Sequence, residues 1–288
     1  MPPDYATVAE ANRRYYAATA ALYDASETCV TDPAAQAELE RDLDRALALL
    51  ARPPAEVAAL DACGGSGNVS LKLLRRGVQV TVADISPELL AILRRKAEAA
   101  GLAPEIQCGE LAEFLRRPGR PFDLITFSSA LHHLQDIEGV LRLAFARLTP
   151  GGLVFTTHDP TALARQKAVT RLLLRAEYFA FKVFRQPADL PAAIGRKLRR
   201  ALGRQPSPSA GNIAEEQLGV LAEYHVARGI DDRALVERLK AAGFEVVAHE
   251  RLAGARFAPV RGLVRRLGDA TAFKLLLRRP APAAPPTT

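Results

Sequence analysis

Three glycines in four residues, inside Asp61-Ala62-Cys63-Gly64-Gly65-Ser66-Gly67-Asn68, constrain this chain more than any other stretch. They follow a short apolar run, Val57-Ala58-Ala59-Leu60, and precede a helical pattern over 68–76. Strand, tight glycine turn and helix together open a parallel α/β sheet. Parallel strands need a crossover, and glycine lets the backbone turn back without a Cβ in the way. The alternation then continues, with strands expected at 78–83, 105–108, 122–128 and 152–157 and helices at 87–100, 110–116 and 137–148. Five strands alternating with helices predict an α/β fold, a parallel sheet covered on both faces.

Before this core, residues 1–52 read as helical. Leu39, Leu43, Leu47 and Leu50 recur at helical spacing, and Pro53-Pro54 ends the segment. After His158-Asp159-Pro160 the alternation stops for about sixty residues of basic helical sequence, which read as an insertion. A helix at 231–242, a strand at 244–248 and a basic, partly helical stretch over 254–279 complete the core. The expected organisation is an N-terminal helical closure (1–52), a ligand-binding core (53–159), an inserted basic lid (160–222), the completion of the core (223–279) and a Pro/Ala-rich disordered tail (280–288).

Composition matters mainly through charge. The chain carries a formal net charge of +7 in 288 residues. Between 160 and 204, eleven Lys/Arg face two acids, and between 251 and 279 eight face one, so the rest of the body is acidic. Solvated helix faces and contact with an anionic partner explain this equally well. Cys29, Cys63 and Cys108 form an odd set without C-x-x-C spacing, so neither disulfides nor a metal site are expected. With no apolar span of membrane length and no leader pattern, a cytoplasmic location is expected.

The glycine turn calls for a nucleotide-like ligand, and Asp84, seventeen residues past Gly67, stands where a carboxylate can accept ribose hydroxyls. A dinucleotide motif would need glycine at position 70, where Ser70 stands, and Asp61 would repel a pyrophosphate in a partly desolvated site. An ammonium-bearing, phosphate-free ligand suits an acid there, which favours S-adenosylmethionine over NAD.

At this point the chain resembles the class I S-adenosylmethionine-dependent methyltransferases, over about 55–160 and 220–250. Its Asp-x-x-Gly-Gly-Ser-Gly turn is similar to that of the branch acting on ubiquinone and menaquinone precursors. Cys63 stands where the commoner pattern has glycine. The resemblance implies a Rossmann-like sheet and a cofactor held by Tyr23, Asp61, Cys63, Gly65, Gly67, Asp84, Ile85, Glu110, Leu111, Ser128 and His133. Within that set Asp84 would bind the ribose, Ile85 and Leu111 would flank the adenine, and Glu110 would take its amino group. Tyr23-Asp24 would belong to a helix closing over the cofactor.

Methyl transfer needs alignment and water exclusion, and a base only where the acceptor must lose a proton. His158, at the end of the fifth strand, and His225 are the candidate bases, because ligands of open parallel sheets bind at the carboxyl ends of strands. The adjacent pair His132-His133 would point in different directions and is not read as a metal site. Residues 171–184 hold ten apolar side chains of fourteen beside a cationic stripe of Arg171, Arg175 and Lys182. Such a helix suits the protein's own sheet, a hydrophobic acceptor or an anionic membrane surface. The expected activity is methyl transfer to oxygen or carbon of a small hydrophobic acceptor. An NAD(P)-dependent oxidoreductase or a non-catalytic nucleotide-binding protein is the alternative. RNA methylation ranks third, because the 196–204 cluster lacks aromatics for base stacking. The sequence leaves the oligomeric state open.

Overall fold

The computed structural model describes residues 5–185, 228–255 and 257–281. A seven-stranded sheet runs through it in the order β3-β2-β1-β4-β5-β7-β6. The strands are β1 (Ala58–Ala62), β2 (Gln79–Asp84), β3 (Glu105–Cys108), β4 (Phe122–Ser128), β5 (Leu148–Pro160), β6 (Glu245–Leu252) and β7 (Ala272–Arg278). The first five pair in parallel, as the alternation predicts, whereas β7 is antiparallel to both β5 and β6.

Before the sheet lie α1 (Tyr5–Ser26), α2 (Thr28–Thr31) and α3 (Pro33–Leu50). Asp32 caps α3 by accepting from Ala34 N–H at 3.0 Å, Pro33 opens it, and Ala51 ends it in the left-handed region. The crossovers are α4 (Ser70–Arg75), α5 (Pro87–Ala99), α6 (Leu111–Arg116) and α7 (Ile137–Ala146), followed by α8 (Ala168–Arg185), α9 (Asp232–Ala241) and α10 (Ala258–Arg266). One core packs Leu39 and Leu43 of α3 with Leu71, Leu73, Leu90 and Leu93 against β1 and β2. The other packs Leu115, Leu141, Leu235 and Leu239 against Ile125, Val154 and Phe273. Each fully buried leucine contributes about 1.5–3 kcal/mol, so both faces of the sheet are anchored independently.

Two expectations need correction. The 254–279 stretch is not merely basic and partly helical. It contains β7, the strand that carries the sheet from β5 to β6, and all of Ala272 to Leu277 is buried. Lys274 survives there because Nζ reaches Glu38, Asp42 and Glu250, at 3.0, 3.0 and 3.1 Å. In addition, β5 does not end before His158; it runs on to Pro160, with a register break between Thr156 and Asp159. Most of the expected lid, Lys182's side chain, Tyr224, His225 and most of the tail lie outside the described residues.

Candidate active site

The carboxyl ends of β1, β2, β3 and β4 open into a crevice closed from above by α1. The glycine turn is its floor. Gly64 N–H donates to Ala83 O at 3.2 Å and Gly67 N–H to Gly64 O at 3.0 Å, which tie the turn to β2 and to itself. Gly65 N–H donates to Asp84 Oδ2 at 2.9 Å, and Asp84 Oδ1 accepts from Ser86 N–H at 2.8 Å. One carboxylate therefore fixes both the turn and the start of α5. Burial pushes its pKa up despite these bonds.

The crevice spans about 750 Å³, open solvent included. Of the residues expected to hold the cofactor, Tyr23, Cys63, Gly65, Asp84, Ile85, Glu110, Leu111 and His133 line it together. Glu110 precedes α6 without spending its side chain on the cap. Asp61 and Ser128 line a smaller adjoining cavity that shares Tyr23 and Cys63 with the crevice.

Gly67 lies outside both. Its φ is +94°, and a Cβ there would stand 2.4 Å from Leu93 Cδ1. This glycine lets the turn pack closely on α5. Gly67→Ala is expected to cost about 2–4 kcal/mol through backbone strain and overpacking, read as a lower urea midpoint with an unchanged slope.

Asp61 lines the smaller cavity and is also tied into the scaffold. It is fully buried, with Oδ2 accepting from Ser70 N–H and Oδ1 from the Thr126 hydroxyl, both at 2.9 Å. The side chain is turned under the glycine loop, toward the first turn of α4. Burial raises its pKa to about 6. A carboxylate already occupies the position where a pyrophosphate would meet the helix amides, so the geometry is hostile to a dinucleotide.

The closing helix supplies residues that the sequence reading missed. Val8, Asn12 and Tyr16, at i, i+4 and i+8 on α1, all face the crevice. That spacing was the available signal. The Tyr16 hydroxyl shares a 2.8 Å hydrogen bond with His133 Nε2, and Asn12 Nδ2 donates to His133 O at 3.4 Å. Asp24 fastens the far end of α1, accepting from Ser66 Oγ at 2.5 Å and pairing with Lys96.

The sequence profile of the methyltransferase domain family matches residues 34–249. The chain belongs to this family, the class I S-adenosylmethionine-dependent methyltransferases. Its curated relatives include the tRNA 5-carboxymethoxyuridine methyltransferase of Escherichia coli, 36% identical over 41% of this chain and 46% of that protein. Another is the ubiquinone biosynthesis O-methyltransferase of Xanthomonas axonopodis pv. citri, 29% identical over 48% and 61%. The match therefore spans about half the length of these relatives. Among solved structures, the cyclase SpnF superposes with a TM-score of 0.60 at 17% identity, covering 94% of this chain and 95% of that one. The N-methyltransferase NodS of Bradyrhizobium japonicum, solved with S-adenosylhomocysteine, superposes at 0.54 and 13%, covering 93% and 98%. These likenesses show the shared fold.

Beyond the crevice, the chain carries a larger cavity between α2–α3 and the ends of β5, β6 and β7. It spans about 1770 Å³, open solvent included, and shares the wall residue Ser129 with the crevice. His158 lines it, half-buried, with Nδ1 3.1 Å from Thr157 Oγ1, and burial holds the imidazole pKa below its usual 6.5. His132 is placed differently. Its Nδ1 lies 3.0 Å from Asp159 Oδ1 in a buried pair, and burial raises the Asp159 carboxyl to about 7.

Three non-glycine residues at these strand ends hold positive φ: Cys63 after β1 (+56°), Ser129 after β4 (+54°) and His158 in β5 (+62°). Each lines a cavity, and each is in a conformation costing about 1 kcal/mol or more that the surroundings must impose. The left-handed φ at Cys63 also explains why glycine is the commoner residue at that place in the turn.

Proposed function

We propose that this chain transfers a methyl group from S-adenosylmethionine to an oxygen of a small molecule seated in the cavity beside His158. The observation that carries this reading is that the crevice and the second cavity, which holds His158, share Ser129 as a wall residue.

Asp84 would accept the ribose hydroxyls. Its two oxygens offer about four lone-pair directions, of which the N–H groups of Gly65, Ser86 and Ile85 take up to three. Ile85 and Leu111 would sandwich the adenine, and Glu110 would receive its amino group. The smaller cavity beside Asp61 and Ser128 would take the ammonium end. When bound, the cofactor supplies a methyl carbon on a cationic sulfur. The protein's task is then to hold an acceptor atom in line with that carbon, exclude water under α1, and remove a proton through His158.

Incubation of host extract with the enzyme and cofactor tests this reading. The expected result is an enzyme-dependent mass gain of one methylene on a small molecule. The relative acting on tRNA supports a second reading, in which methyl label appears instead in nucleosides released from RNA. Calorimetry with S-adenosylmethionine and NADH separates both from an oxidoreductase.

A pH effect follows from Asp61. With its carboxyl near 6, binding an ammonium beside it favours the charged form, so binding below that pH must first expel a proton. Affinity for S-adenosylmethionine is expected to fall by up to about tenfold per unit below pH 6 and to stay level above it. Asp61→Asn should flatten the slope; an unchanged slope in that variant would place the titrating group elsewhere.

A further inference from the structure

The helix α8 is amphipathic in sequence, and the fold seats it with its polar side inward. Thr170 and Glu177, two turns apart, are buried, and Glu177 Oε1 accepts from Phe257 N–H at 2.6 Å, which fastens α8 to the start of α10. On the other side Val169, Leu172, Ala176 and Phe179, at i, i+3, i+7 and i+10, form one exposed stripe. Leu172 is 66% exposed and Phe179 64%. The stripe therefore faces away from the protein's own sheet, and none of its residues lines the crevice or the two cavities beside it.

A single exposed leucine, such as Leu22 on α1, is ordinary. An aligned row on a helix that keeps its threonine and glutamate for the interior is not, because it forgoes the burial that the same side chains would gain inward. The charge beside the row has one sign. Arg171 and Arg175 border it, Arg171 Nη1 donates to the Leu163 carbonyl at 3.1 Å, and neither arginine is ion-paired among the described residues. The one acid of α8 is the buried Glu177.

This combination selects among partners. A second copy of the same face would set arginine against arginine. RNA would meet the arginines and leave the aliphatic Val169 and Leu172 with nothing to stack on. A bilayer with anionic headgroups serves both groups, since Leu172 and Phe179 enter the acyl boundary while the guanidiniums stay among the phosphates. No described helix is long and apolar enough to cross a membrane, so the contact is with the bilayer surface.

We propose that α8 docks this protein on an anionic lipid surface, with Val169, Leu172 and Phe179 inserted and Arg171 and Arg175 at the headgroups. The inference is independent of the role assigned to His158 and holds whatever the acceptor.

Co-sedimentation of the whole chain with vesicles tests it. Vesicles of equal parts phosphatidylcholine and phosphatidylglycerol are expected to bind it about tenfold or more tighter than phosphatidylcholine alone, and less tightly as salt rises. Leu172→Gln combined with Phe179→Gln should weaken that binding about tenfold or more. Arg171→Gln combined with Arg175→Gln should remove most of the preference for phosphatidylglycerol, and Leu22→Gln should change neither property. The melting temperatures of all three variants should match the wild type, because the replaced side chains bury little. Equal binding to both kinds of vesicle, binding that survives both double substitutions, or wild-type protein left in solution by the anionic vesicles overturns the proposal. In the last case, a lower melting temperature of the Leu172/Phe179 variant would put another part of the chain on the stripe, and a halved particle mass would put a second copy there. Retention of an RNA oligonucleotide that depends on the two arginines would put nucleic acid there.

Discussion

Asp84→Ala is expected to raise the dissociation constant for S-adenosylmethionine by about ten- to a hundredfold, equivalent to about 1.4–2.8 kcal/mol, and to lower the melting temperature of the free protein as well. Two losses combine. The first is the carboxylate offered to the ribose hydroxyls, a charge-assisted interaction in a place with little competing water. The second is internal: Gly65 and Ser86 lose their acceptor, and two buried N–H groups left without a partner cost about 1–3 kcal/mol each. A ligand contact alone would leave the melting temperature of the empty protein unchanged, and a scaffold role alone would lower it without a matching loss of affinity at temperatures where the variant is folded. Calorimetry beside thermal denaturation distinguishes the two. An unchanged dissociation constant would remove Asp84 from the cofactor site.

The strands up to β5 were legible because local signals agree. The first two, β1 and β2, are short, largely apolar runs carrying an acid at or next to their carboxyl ends, and helices such as α5 announce themselves through Ser86-Pro87, where Ser86 Oγ accepts from Leu89 N–H. The strand β7 was not legible for a physical reason. A strand buried on both faces shows no alternation, and Phe273 to Leu277 with Lys274 inside fits a helix as well as a strand. What permits the lysine is remote: Glu38 and Asp42 come from α3, more than 230 positions earlier. In the site, residue identities were readable but directions were not. Nothing near Asp61 in the chain reveals that Thr126 on β4 and the start of α4 claim its carboxylate. Gly67 stands in a turn read as a ligand loop, and its need for glycine comes from Leu93 on the next helix. The α1 stripe of Val8, Asn12 and Tyr16 has regular spacing, but its mixture of apolar and polar side chains does not mark a buried face.

His158→Asn is expected to lower turnover by about 10²–10⁴ while leaving the dissociation constant for S-adenosylmethionine within about twofold. Asparagine is the informative replacement because His158 holds φ +62°, a region asparagine enters at small cost, so the backbone at the β5 bulge is preserved while the base is lost. The pH profile supplies the second half of the argument. Burial disfavours the imidazolium, so the folded-state pKa of His158 lies below 6.5 and the ring is neutral and able to accept a proton at pH 7. As pH falls through that depressed value the ring becomes charged, and kcat/KM should decline about tenfold per unit on the acid side while staying level above it. In His158→Asn that acid limb should vanish, leaving a low rate that follows only ionisation of the acceptor itself. A variant that keeps the acid limb, or loses cofactor affinity in step with turnover, would make His158 a residue that shapes the cavity and leave proton removal to the acceptor's own acidity.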